Sequence, residues 1–162
     1  MQRRLHMPNH TCCFFGHREI HETDDLIQSV SAAIERLIVV ESVDTFLFGS
    51  KSQFNSLCYE LVTKAKEKHP HIRRIYVRAE FPIIDESYKN YLLGRYEDTY
   101  YPSKLIGAGK AVYVERNMEM IEKSRFCLIY YDEALAPTRR KSGTKIALEY
   151  AIRLERHLLC FP

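Results

Sequence analysis

The chain has 162 residues, 46% of them apolar and 28% charged. That length suits one domain around one core, since a single core is usual at about 100 to 200 residues, and the balance excludes collagen-like, disordered and membrane-spanning classes. Lys and Arg number 24 against 21 Asp and Glu, a net charge of +3, too small for a general attractor of nucleic acid but compatible with a local basic pocket.

Thr11 to Phe15 is a short apolar run closed by Gly16. From Asp24, apolar residues recur at Leu26, Ile27, Val30, Ala33, Ile34, Leu37 and Ile38, one face of a helix for which Thr23 is the expected N-cap. Asp44 to Phe48 reads as a second strand, stopped by Gly49. Phe54, Leu57, Cys58, Leu61, Val62 and Ala65 form a second amphipathic helix, and Ile72 to Ala79 a third strand. Residues 80–109 break the rhythm with Pro82, Pro102, three glycines and five tyrosines; they read as an insertion with one short helix over Glu86 to Leu93. A helix from Val112 to Ser124, an apolar strand from Phe126 to Tyr131, a last helix carrying Ile146, Ala147, Tyr150, Ala151, Leu154 and Leu158, and a closing strand over His157 to Phe161 complete the pattern. Strands alternating with helices, several strands apolar on both faces, predict an α/β fold: a Rossmann-like three-layer sandwich with a mainly parallel sheet, as one domain over residues 1–162.

No window approaches the roughly 18 apolar residues that span a bilayer, and Met1 to His6 holds no apolar run before a cleavage site; a cytoplasmic protein with no membrane partner is expected. Cys12, Cys13, Cys58, Cys127 and Cys160 contain no C-x-x-C pair, and four lie in apolar runs. They read as small core residues in a reducing compartment, and no metal or cofactor is expected.

In parallel sheets ligands sit beyond the carboxyl ends of the strands, where helix N-termini offer free N–H groups. Three loops there pair glycine with small or basic donors: Gly16-His17-Arg18, Gly49-Ser50-Lys51-Ser52-Gln53-Phe54-Asn55, and Arg140-Lys141-Ser142-Gly143-Thr144. Glycine admits close backbone approach and the cations neutralise charge, which is the chemistry of a phosphate cradle.

These loops resemble the SLOG superfamily, which includes the SMF/DprA and LONELY GUY proteins, and within it the YpsA-like branch. Cys12-Cys13-Phe14-Phe15-Gly16-His17-Arg18 is similar to that branch's Cys-Cys-Phe-x-Gly-His-Arg start. Gly49 to Glu60 is similar to the family's Gly-Gly-Ala-x-Gly-x-Asp segment, with Ser50, Gln53 and Asn55 replacing the second Gly, the third Gly and the Asp. Glu115-Arg116-Asn117-Met118-Glu119-Met120 resembles Glu-Arg-Lys-x-x-Met, and Ser142-Gly143-Thr144 the Gly-x-Gly-Thr phosphate loop. The resemblance implies a dimeric domain that binds a nucleotide-like small molecule, with phosphate at the Thr144 helix and Arg116 beside it as the catalytic candidate should chemistry occur. LONELY GUY phosphoribohydrolases, which split a nucleoside 5′-monophosphate, carry their catalytic Glu where this chain has Ala147. Glu149 lies two residues on, about 200° around the helix. A binding or signalling module is therefore the leading expectation. The phosphoribohydrolase is the alternative, its acid to come from Glu80, Asp85, Glu86, Glu97 or Asp98. Single-stranded DNA handling rests only on Arg73-Arg74 and Arg139-Arg140-Lys141.

The residue readings leave alternatives. Arg116 shares a helix face with Val112 and Met120, so it either pairs with Glu115 or Glu119 or meets an anion. His17 is a neutral hydrogen-bond partner or a ligand contact; in Ser50, Lys51, Ser52 and Asn55, before the second helix, the choice is a helix cap by Ser52 or Asn55 or a contact of Lys51 with a phosphate or ribose oxygen; Thr144 is a cap or a phosphate contact. Tyr130, Tyr131 and Asp132 end a strand at the ligand edge. The tyrosine-rich insertion is a base-stacking lid or a subunit interface.

Overall fold

Four helices begin at a side-chain cap, because an oxygen just outside the first turn satisfies one of its orphan N–H groups. The computed structural model describes residues 8–136 and 141–162. In it Thr23 caps α1 (Asp24–Val39), Ser52 caps α2 (Gln53–Lys68), Asp85 caps α3 (Glu86–Leu93) and Ser142 caps α5 (Gly143–Arg153). Helix α4 (Val112–Glu122) instead follows a 3-10 turn over Gly109–Ala111.

The strands are β1 (Thr11–Gly16), β2 (Thr45–Phe48), β3 (Arg73–Val77), β4 (Asp98–Tyr100), β5 (Phe126–Tyr130) and β6 (His157–Phe161). They pair in the order β4-β3-β2-β1-β5-β6, every pair parallel. This is the α/β three-layer, Rossmann-like sandwich that the alternation predicts. Because successive side chains leave opposite faces of a strand, the central strands feed two cores. Cys12, Phe14, Phe46, Phe48, Phe126 and Leu128 pack under α1 and α2. Cys13, Phe15, Leu47, Cys127 and Ile129 pack under α4 and α5, against Met120, Ile121, Ala147 and Ala151.

The chain runs from β1 outward through β2 and β3 to β4, then returns to pair β5 on the other side of β1. This reversal opens a crevice at the carboxyl ends of β1 and β5. The segment read as an insertion supplies the expected helix α3 and also strand β4, which Asp98-Thr99-Tyr100 is too short to announce by periodicity. Its tyrosines divide: Tyr96 is buried against Phe48, Tyr59 and Tyr76, whereas Tyr91 is exposed. No helix among the described residues is long and apolar enough to cross a membrane.

Candidate functional site

The crevice holds a cavity of about 700 Å³, within the ~300 to 1,000 Å³ range of small-molecule sites. It is lined from the end of β1 and the loop after it by Phe15, Gly16, His17, Arg18 and Glu19, from the β2 loop by Ser50, Lys51 and Ser52, from α4 by Val114 and Asn117, and also by Leu135 and the start of α5. Of the expected site residues, Gly16, His17, Arg18, Ser50, Lys51, Asn117, Ser142, Gly143 and Thr144 are brought together there; Gly49, Asn55 and Arg116 lie behind the wall. Arg139 and Arg140 lie outside the described residues.

Two helix N-termini face this edge, and they differ. At α2 two of the first three N–H groups, those of Gln53 and Asn55, are already used. The Ser52 N–H donates to Ser50 Oγ (3.1 Å), the Gln53 N–H to the Arg18 carbonyl (2.9 Å) and the Asn55 N–H to Ser52 Oγ (3.1 Å). Gln53 stitches the same loops by its side chain, accepting from the Ile20 N–H at 2.9 Å and donating to Glu22 at 3.2 Å. At α5, Ser142 accepts from the Lys145 N–H through Oγ (3.0 Å) and from the Ile146 N–H through its carbonyl (3.1 Å). The N–H groups of Gly143 and Thr144 have no partner among the described residues. The cap is thus Ser142, and Thr144, 8% exposed, keeps a hydroxyl with no partner among the described residues at the cavity wall. A Cβ added at Gly143 would meet nothing within 4 Å, so the backbone there lies open to approach. A free helix N-terminus carries about half a positive charge, which favours an anion.

Three cations line the same space. Lys51 is 3.7 Å from Glu80 and its side chain is 81% exposed. Lys141 donates to Glu149 at 2.6 Å and holds that carboxyl below its usual range. The Arg18 guanidinium has no ion-pair partner among the described residues.

His17 is buried beside Tyr130 and Tyr131. Its Nε2 lies 2.8 Å from the Asp132 N–H and 3.0 Å from the Asp132 carbonyl oxygen, so the ring is held against the main chain of that one residue. Tyr130, Tyr131 and Asp132 therefore serve the site by fixing His17, since they do not line the cavity.

Arg116 pairs with neither Glu115 nor Glu119. It is 6% exposed, donates through Nη1 to the Gly49 carbonyl at 2.7 Å and through Nε to Asn117 Oδ1 at 3.0 Å, and lies over the Tyr113 ring. Burial lowers its pKa, an effect opposed by Tyr76, Tyr113 and Glu80. Glu115 is instead 3.9 Å from Lys104. Gly49 owes its identity to this arginine, because a Cβ there would stand 2.8 Å from Arg116 Cδ and 3.0 Å from the Val77 carbonyl. Asn55 is buried, and its Oδ1 has no hydrogen-bond partner among the described residues.

Several lining residues escape the sequence reading. Phe15, Val114, Leu135 and Ile146 give the cavity an apolar side, and Glu19 is its one lining carboxylate. Glu19 directly follows the Gly-His-Arg run, and Val114 precedes Asn117 by almost one helical turn, so adjacency on the element was the available signal. Among the described residues no cluster of His, Cys, Asp and Glu suits a metal ion. No protein-family model matches this chain, and no curated protein matches it.

Proposed function

We propose that the cavity binds a nucleotide or nucleotide-derived ligand through its phosphate, as a sensor or signalling module of the SLOG type. The observation that carries the reading is the N-terminus of α5: two N–H groups and the Thr144 hydroxyl, none with a partner among the described residues, border a cavity lined by Arg18, Lys51 and Lys141. Phosphate oxygens need donors and positive charge, and both are present before any ligand arrives. The apolar side formed by Val114, Leu135 and Ile146 suits the faces of a base. The resemblance of four segments to the SLOG superfamily supports the same reading.

A panel of nucleoside mono-, di- and triphosphates and cyclic nucleotides, screened by thermal shift, tests it. A ligand present at about 100 times its Kd stabilises by about 2.7 kcal/mol, a rise of roughly 5 to 10 °C for a chain of this size. Thr144→Arg, which fills the cavity wall without entering the core, should abolish the rise. No shift across the panel at millimolar concentration would refute the proposal.

Phosphoribohydrolysis remains the alternative, and one observation keeps it: Glu19 lines the cavity. Ala147 is packed in the core beneath α5, Glu149 is held by Lys141, Glu80 by Tyr113 and Glu97 by Arg74. Release of free base from AMP, CMP or GMP, lost in Glu19→Gln, would establish hydrolysis in place of binding alone.

A further inference from the structure

Asn117 lines the cavity and Arg116, next to it on α4, does not. The contact between them nevertheless decides what Asn117 presents. A guanidinium N–H can only donate, so the atom 3.0 Å from Arg116 Nε has to be the amide oxygen. The NH₂ group is left on the other branch, where it has no hydrogen-bond partner among the described residues. Arg116 is itself held by the Gly49 carbonyl at 2.7 Å, in a space that Gly49 keeps free by lacking a Cβ.

We propose that Asn117 is a ligand-contacting donor of the cavity and that Arg116 is its positioning residue, fixing the amide so that its Nδ2 group donates to the phosphoryl oxygens of the nucleotide. The inference rests on the phosphate reading above and departs from the expectation that Arg116 meets the ligand. Helices α4 and α5 cover the same face of the sheet. The Asn117 amide therefore lines the same cavity as the N-terminus of α5, with its Gly143 and Thr144 N–H groups and the Thr144 hydroxyl. Such a wall suits the fully deprotonated phosphoryl group, which has only acceptors to offer.

Asn117→Asp separates this role from a structural one. It keeps size and shape, and Arg116 Nε still donates to one oxygen, but the second oxygen replaces a donor with a negative charge. The melting temperature without ligand should stay level or rise. By calorimetry with AMP, GMP, CMP, UMP and inorganic phosphate, affinity for the best of these probes should fall about 100-fold or more, the loss of a charged hydrogen bond plus repulsion. Arg116→Lys should weaken the same probe by about 10-fold, yet add nothing in an Asn117→Ala background, since a positioning residue acts only through what it positions. Binding by Asn117→Asp within about two-fold of the native protein, or an equal Arg116→Lys effect in both backgrounds, overturns the inference. Failure of the native protein to bind any of these probes overturns this inference, whereas the phosphate reading itself falls only if the wider thermal-shift panel gives no shift either.

Discussion

At Gly16 a Cβ would collide with Cβ, Cγ and Cδ1 of Phe54, a fully buried ring at the start of α2. The ring has nowhere to retreat, so Gly16→Ala is an overpacking change and should cost about 1 to 3 kcal/mol, read as a lower urea midpoint at unchanged m. An unshifted midpoint would show that α2 can slide. Ser124 is the opposite case: fully buried, with an Oγ that has no partner among the described residues. Ser124→Ala removes an unsatisfied hydroxyl and should raise stability by about 1 kcal/mol; a loss would reveal a partner for that oxygen. The run Gly16-His17-Arg18 marks the ligand edge in the sequence, but the packing demand on Gly16 is invisible there because Phe54 lies far along the chain. Arg116 is similar. Its place on an apolar face is readable from spacing, whereas its destination, a carbonyl 67 residues away, is fixed only by the fold.

Among the elements, β4 depends most on polar contacts. Arg74 on β3 grips Glu97 through Nε and Nη2 at 2.9 to 3.2 Å, and Lys66 of α2 approaches the same carboxylate at 3.3 Å. Burial pushes the Glu97 pKa up, but the Arg74 and Lys66 contacts prevail and bring it below the ordinary 4.5. A depressed folded-state value means stability that is present above the unfolded pKa and lost as pH falls through the folded one. Urea titrations across about pH 3 to 6 should show Glu97→Gln with a flatter acid limb than the native protein; identical limbs would mean the pair is not felt by folding. Five of the six strands and every α-helix are legible from periodicity and caps, because each is long enough to repeat a pattern. Strand β4 has three residues, and its pairing with Ile75, Tyr76 and Val77 is a tertiary event. The same limit hid the closing of the α2 N-terminus, which the Arg18 carbonyl and Ser50 accomplish from outside the helix.

For the whole molecule, the two-sided core predicts its own thiol chemistry. Cys12, Cys13, Cys58 and Cys127 are buried and Cys160 is exposed. Burial raises the Cys12 and Cys58 pKa values strongly, and Cys160 is raised less, by partial burial and by Cys127. Because the thiolate is the reactive form, an aromatic disulfide reagent should titrate one thiol per native chain, slowly, and all five in denaturant. Rapid native reaction of more than one would mean that the sheet opens on the reagent's timescale.

The central position of β1 has a consequence for how the chain is made. Cys13 and Cys127 meet side by side on β1 and β5, 114 residues apart. At about 5 to 20 residues per second, the ribosome emits β5 roughly 6 to 23 s after β1. During that interval β1 can pair on one side with β2, while its other edge, apolar on both faces, stays open to any strand nearby. The nascent chain is thus most exposed to mispairing along the line where the cavity will form, and the cavity is among the last features to be completed.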